Sequence, residues 1–505
     1  MKKTRLLLIS VYNVRECVWN AAQAIALVLL ISLAAPRSAQ AQAFSLVHKF
    51  AGPPDGAYPV AGLIQDAAGN LYGTTQLGGI TAGVCANVGG FNGLNGCGTV
   101  FKLDPAGAET ILYRFTGGAD GQAPTAGLVQ DAASNLYGST AAAVFKLDPV
   151  GTFTVLHSPG ANAGLVMDAA GNLYGSSAEG IFQLDLAGTF TVLDSNHSSG
   201  TTLARDAAGN LYGTNQSGGI VFKLDTARIY TVLHTFTGMG EDGSNSLGGL
   251  ALDAAGNLYG TTPDGGAPNC IGGAHNAVGC GTVFKLSPTG VETIFNFQGG
   301  DHPITGLVLD AAGNLYGTTE FAGPLAGTSA LLFKMDSLGH ETQLFSFTGG
   351  GLDRAYPTAS LIRDSAGNLY GTTQFGGGST GAGMVFKLNP AGAATFPFDV
   401  APAGTGAGTV TGSASGINCQ LSCTGFYVPG TAITLMATPT AGSVFTGWTG
   451  GCSGTGTCHV NTGSAEVVVW SVFDLDFSVS ASGLMPASVN PVSYTHLTLP
   501  TILRV

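Results

Sequence analysis

Seven aspartates recur in one setting along this chain. Asp66, Asp131, Asp168, Asp206, Asp253, Asp310 and Asp364 each stand four residues before an Asn-Leu-Tyr-Gly run. Carboxylate oxygens in a turn are what a hard cation such as calcium needs. Each turn, however, brings one carboxylate and lacks the Asp-x-Asp-x-Asp density of a calcium loop, so these side chains are expected to hydrogen-bond their own turns. Two hydroxyls follow almost every Tyr-Gly: Thr74/Thr75, Ser139/Thr140, Ser176/Ser177, Thr261/Thr262, Thr318/Thr319 and Thr372/Thr373, with Thr214/Asn215 in the remaining copy. Repetition would set them in a ring able to hold a neutral polar ligand such as a glycan. Thr74, Thr75, Thr261, Thr262, Thr318, Thr319, Thr372 and Thr373 are the candidate binding residues. β-Propensity accounts for threonine here equally well.

Eight cysteines remain once Cys17 of the leader is set aside, an even number suited to an oxidising compartment. Cys85 and Cys97 flank an insertion before Gly98-Thr99-Val100-Phe101, and Cys270 and Cys280 flank the corresponding insertion before Gly281-Thr282-Val283-Phe284. Matched placement predicts that each pair staples its own loop. Cys419 with Cys423 and Cys452 with Cys458 are the favoured local pairs further on, with crossed connectivity open. A cysteine zinc site is disfavoured because paired Cys-x-x-Cys and accompanying histidines are missing. His157, His197, His234, His275, His302 and His340 read as falling at unrelated repeat positions, and neither a Gly-x-Ser-x-Gly elbow nor His-Glu-x-x-His occurs. Glu179, Glu292, Glu320 and Glu341 stand alone as surface acids. The expectation is therefore no catalytic residue, no metal site and no cofactor.

The elements that position these residues are short strands. Asn-Leu-Tyr-Gly is followed by Val-Phe-Lys-Leu, starting at Val100, Val144, Val221, Val283 and Val385 and varied at Ile181 and Leu332. Next comes an alternating run such as Thr110-Ile111-Leu112-Tyr113-Arg114-Phe115, the period of a half-buried strand. With Gly-Leu-Val-x-Asp in front, each unit offers four strands, which makes one propeller blade. Asp-Ala-Ala-Gly-Asn and Asp-Pro-x-Gly supply the turns. Successive Asn-Leu-Tyr-Gly runs are 65, 37, 38, 47, 57 and 54 residues apart, in the range of propeller blades with insertions. The predicted fold is all-β: a seven-bladed β-propeller of four-stranded blades over 44–398, closed into a ring so that few sheet edges stay open. Phe44-Ser45-Leu46-Val47-His48-Lys49-Phe50 matches the fourth-strand phrase before any first strand has appeared. It is predicted to complete the blade formed by residues 355–388.

This unit resembles the Gloeobacter/Verrucomicrobia tandem repeat of exported bacterial proteins, on Gly69 to Thr75 with Gly98 to Leu103 and Gly256 to Thr262 with Gly281 to Leu286. The resemblance implies export, and often a surface-attachment tail, but no reaction. After a Pro/Gly/Ala/Thr linker at 399–408, residues 409–475 are similar to the divergent internalin B-type repeat. That similarity rests on Gly408-Thr409-Val410, Gly430 to Leu435, Phe445-Thr446-Gly447-Trp448 and the four cysteines. It implies a small all-β domain, a β-grasp-like or β-sandwich unit used for spacing or adhesion. Residues 476–491 read as the opening of a truncated Ig-like segment. Residues 492–505, Val492 to Val505, resemble translated sequencing adapter and read as an artefact.

Composition agrees with export. Glycine accounts for 79 of 505 residues and only 10% are charged, which suits tight turns between strands rather than long helices. Residues 1–43 read as a signal peptide, with Lys2, Lys3, Arg5 and Arg15 before an apolar run from Ala21 to Ala35 and small-x-small sites ending at Ala41 and Ala43. The apolar run is shorter than the ~20 residues a span requires, and no later segment could span. Without the leader the net charge moves from −12 to about −16, a surface that repels nucleic acid. The expected protein is a secreted or cell-surface monomer, a non-enzymatic interaction protein whose partner is an extracellular polysaccharide or surface protein. The alternatives are a propeller lyase, lactonase or glycan hydrolase, needing acids or histidines at the channel mouth, and a purely structural envelope repeat.

Overall fold

The computed structural model describes residues 43–476, apart from internal segments of which 267–279 and 321–329 are the longest. Residues 1–42, Cys270, His275 and everything from residue 477 onward lie outside the described residues. Seven four-stranded antiparallel sheets follow one another as blades. Blade 1 consists of Ile64–Gln65, Leu71–Thr75, Thr99–Leu103 and Glu109–Arg114, innermost to outermost. Blades 2 to 6 repeat this order, with outer strands Phe153–His157, Phe190–Asp194, Tyr230–Thr235, Glu292–Asn296 and Glu341–Phe347. Blade 7 takes Ile362–Arg363, Leu369–Thr373 and Met384–Asn389 from the end of the propeller and Ala43–Lys49 from its beginning. Phe44 lies opposite Leu388 and Leu46 opposite Phe386, so the N-terminal strand closes the ring as its sequence phrase predicts.

The repeated phrases have packing reasons. The Val-Phe-Lys-Leu strand buries valine, phenylalanine and leucine completely in blade 1 and leaves Lys102 half-buried. The phenylalanine ring lies across the glycine of the neighbouring Leu-Tyr-Gly strand: a Cβ on Gly73 would stand 2.7 Å from Phe101 Cζ, and one on Gly260 2.4 Å from Phe284 Cζ. Glycine is needed there for close approach. The preceding tyrosine reaches into the next blade, Tyr72 packing with Phe145 and Leu147, Tyr259 with Phe333, and Tyr370 with Phe101 and Leu103 to complete the circle.

Behind the propeller, two four-stranded sheets share one core built on Phe398, Val410, Ile433, Leu435, Trp448 and Phe473. Phe396–Ala403 is an inner strand here, antiparallel to Cys423–Tyr427 and parallel to Val467–Leu475. The boundary expected from sequence is thus corrected: 399–403 belongs to this domain's sheet and is not linker. Its proline- and alanine-rich composition hid a strand whose partners are distant in the chain.

Candidate functional site

Each repeated aspartate is consumed by its own turn. Asp66 Oδ1 accepts the Ala68 and Asn70 N–H groups at 3.0 and 2.8 Å, and Oδ2 accepts Asn70 Nδ2 at 2.7 Å and Tyr72 Oη at 3.0 Å. The Asn and Tyr contacts recur in the other six blades, as at Asp131 and Asp310. Burial opposes the charged form, but these donors outweigh it and hold all seven carboxyls below the ordinary aspartate range.

The paired hydroxyls are not offered to a ligand. All eight candidate threonines are at most 1% exposed. The first of each pair donates to a loop carbonyl of the next blade. Thr74 reaches Ala126 at 3.3 Å, Thr261 reaches Thr305 at 3.0 Å, Thr318 reaches Pro357 at 3.2 Å and Thr372 reaches Ala61 at 3.5 Å across the closure. The second hydroxyls work within their blades: Thr75 and Thr262 meet Thr99 and Thr282 at 2.8 Å each, Thr319 accepts the Leu331 N–H at 3.0 Å, and Thr373 donates to Phe375 at 2.6 Å. The expected glycan-binding ring is corrected to a ring of inter-blade hydrogen bonds, because a dry seam demands partners for its loop carbonyls.

At the axis, Gly62, Gly127, Gly164, Gly249 and Gly306 share one position with Thr202 and Ser360 and line a hollow of about 280 Å³. Backbones nearly touch there: a Cβ on Gly127 would lie 3.2 Å from the Gly62 carbonyl oxygen. Thr202 Oγ1 accepts the Gly164 N–H at 3.2 Å, and Ser360 Oγ accepts that of Gly306 at 3.0 Å. A second hollow of about 220 Å³ is lined by the loops that enter the inner strands. Among the described residues, neither lining contains a carboxylate or an imidazole.

The insertions stand beside this mouth. In blade 1 the loop entering the inner strand pairs with the insertion, Gly56–Ala57 against Leu77–Gly78, and in blade 5 Gly243–Ser244 pairs with Asp264–Gly265. A 3-10 helix, Gly83–Asn87, follows in blade 1, and a disulfide joins the buried Cys85 and Cys97. A second disulfide joins Cys452 and Cys458. Cys280 and Cys419 are disulfide-bonded. Cys270 and the side chain of Cys423 lie outside the described residues.

At the outer rim, blades touch through two recurring positions: one opposite the valine of Val-Phe-Lys-Leu, the other, on the next blade, opposite its leucine. Tyr113 stacks on Phe153 at 4.1 Å, His157 on Phe190 at 3.6 Å and Phe345 on Phe44 at 3.9 Å. His48 and His234 occupy the first position as His157 does, opposite Val385, Val221 and Val144. The reading of the histidines as unrelated is corrected for His157 and His234 by this shared register, which His48 joins; His197, His302 and His340 lie elsewhere. His48 Nε2 stands 3.4 Å from Glu109 Oε2, and His234 Nε2 stands 3.4 Å from Glu292 Oε1 and 3.6 Å from Asp242 Oδ1. Asp55 completes the first group, and in each group one ligand-type atom per residue lies within 4.8 Å of the others. Burial raises the Glu109 and Glu292 carboxyls; their histidines oppose this, and Asp55 and Asp242 add to it. For His48, burial is outweighed by Glu109, so its ring holds a proton more tightly than usual. Repeat alignment of the fourth-strand phrase was the sequence signal that could have found these groups.

Streptogramin B lyase is 11% identical over 70% of this chain and 99% of its own, with a TM-score of 0.50. An inactive variant of virginiamycin B lyase from Staphylococcus aureus, solved with quinupristin, is 11% identical over 69% of this chain and 99% of its own, with a TM-score of 0.49. A gluconolactonase from Xanthomonas campestris is 17% identical over 51% of this chain and 82% of its own, with a TM-score of 0.33. At such identities the likeness to the first shows the propeller fold and nothing about chemistry. No curated protein matches in sequence. The divergent InlB B-repeat domain matches residues 399–476, and the Gloeobacter/Verrucomicrobia repeat matches 81–271 and 179–349. With its repeated Asp-capped turns and closed ring, the chain belongs to the Gloeobacter/Verrucomicrobia repeat family and carries an InlB-type domain behind the propeller.

Proposed function

We propose that this is an exported, non-enzymatic β-propeller that binds an extracellular polymer through the face bearing its inserted loops, with the C-terminal domain as spacer or attachment module. One observation carries the reading: the axial hollows where a propeller enzyme would gather acids or histidines are lined by glycine, alanine, threonine, serine and aliphatic side chains. The buried threonines leave the loops as the accessible candidate surface, and in blade 1 the disulfide fixes a loop whose Val84 and Asn87 point to solvent. A pinned loop on a rigid scaffold loses little entropy on binding. Among the described residues no helix is long and apolar enough to cross a membrane.

The test is thermal unfolding of the exported chain against neutral and acidic polysaccharides, with product release assayed alongside. A saturable rise in midpoint with one polymer, diminished in Asn87→Ala, is expected from binding to the native state. Polymer cleavage would replace this reading with the enzyme, and no shift with any polymer would leave the structural envelope repeat.

A further inference from the structure

The two His/carboxylate groups at the rim are not explained by closing the ring, because other seams close with stacked rings at the same positions. They repeat the same three residue types in the same places. His48 and His234 come from an outer strand, Asp55 and Asp242 from the loop that follows it, and Glu109 and Glu292 from the next blade's outer strand. Several of their polar atoms are buried without a hydrogen-bond partner: His48 Nε2, Glu109 Oε1, His234 Nε2, Asp242 Oδ1 and Glu292 Oε1. Asp242 shows the division of labour. Its Oδ2 accepts the Thr237 N–H and hydroxyl at 2.6 and 2.7 Å, while Oδ1 faces His234 and Glu292. Asp120, the equivalent residue in an aromatic seam, instead turns Oδ2 to Tyr113 Oη at 3.0 Å; Asp55 accepts the Ala51 and Gly56 N–H groups at 2.8 and 2.7 Å and still keeps a ligand-type atom within 4.8 Å of those of His48 and Glu109.

The geometry points to two sites for a divalent transition ion of the zinc class, His48–Asp55–Glu109 between blades 7 and 1 and His234–Asp242–Glu292 between blades 4 and 5. Donor spacing fits. Zn–N and Zn–O bonds of about 2.0–2.1 Å at the tetrahedral angle separate ligands by roughly 3.3–3.4 Å, and the measured separations in the blade 4/5 group are 3.4 and 3.6 Å. Imidazole favours zinc, nickel or copper over calcium or magnesium, whose shells are oxygen. One ion would neutralise the two facing carboxylates and take up the imidazole nitrogen together. Since the ligands come from adjacent blades, it would clamp a seam, at blades 7 and 1 the seam beside the ring closure.

The untagged exported chain, stripped with chelator, is titrated with Zn²⁺ by calorimetry and with Co²⁺ by visible absorption. Two ions per chain are expected. His48→Gln and His234→Gln each leave one, the double variant none, and His157→Gln, whose native ring stacks on Phe190, keeps both. Circular dichroism reports whether each variant folds. Glu292→Gln gives a second route of near-equal side-chain size and weakens only the blade 4/5 site, by more than the roughly 10–100-fold typical of an outer-shell partner. No binding of either ion, binding unchanged in the double variant or in Glu292→Gln, or binding of Ca²⁺ alone would overturn the assignment.

Discussion

Blades 1 and 2 meet at the rim through Tyr113 stacked on Phe153 at 4.1 Å, while blades 4 and 5 use the same two positions for His234 and Glu292, 3.4 Å apart. The inner parts of the two seams are alike, with tyrosine packed toward the next blade's phenylalanine and a threonine hydroxyl donated to its loop carbonyl. The difference teaches that the inner seam keeps one set of contacts while the rim varies between stacked rings and polar groups. An aromatic pair adds about 0.5–1.5 kcal/mol beyond its buried area. Half-buried carboxylates facing an imidazole whose Nε2 lacks a hydrogen-bond partner carry a desolvation cost that packing does not return.

The comparison breaks most readily from the aromatic side. Phe345→Ala removes the ring stacked on Phe44 at 3.9 Å where blades 6 and 7 meet, and is expected to cost about 3 kcal/mol in denaturant unfolding. A loss below about 1 kcal/mol would show that rim stacks do not hold the ring. Next is Asp131→Asn, which sets an amide against the Asn135 and Tyr137 donors and is expected to cost about 1–2 kcal/mol in either class of seam. The same cages fix the sign of the acid response. Their folded pKa values are lowered, so their stabilisation is complete above the unfolded aspartate pKa and is lost as pH falls through the folded values. Asp131→Asn should flatten that slope in a pH series of melts, and an unchanged slope would count against the cage. Smallest is Glu292→Gln in chelated protein: a change within about 1 kcal/mol, of either sign, since removing a charge that faces Asp242 relieves as much as it loses. A loss matching that of Phe345→Ala would show that the polar seam holds the ring without metal.

Much of the propeller was legible because its signals act over a few residues. The aspartate is four residues from its asparagine and six from its tyrosine, so the turn and its capping are written locally. The fourth-strand phrase at Phe44 to Phe50 revealed ring closure because strand alternation is local even when its partner is far away. The strand at Phe396–Ala403 was missed for the converse reason: both of its neighbours are supplied from elsewhere in the chain.

The residues of the site were in plain view and their use was not. Repetition placed the threonines in a ring, but whether a hydroxyl faces solvent or the next blade depends on how closely two sheets approach. The histidines looked scattered because insertions change the spacing between repeats, and because only His48, His157 and His234 share the position opposite the valine. By itself the sequence determined the strands, the turns, the number of blades and the ring, all consequences of periodicity and short-range hydrogen bonding. Only the tertiary structure decided which side chains share a seam, because a seam is built from two blades whose residues meet through packing rather than through spacing along the chain.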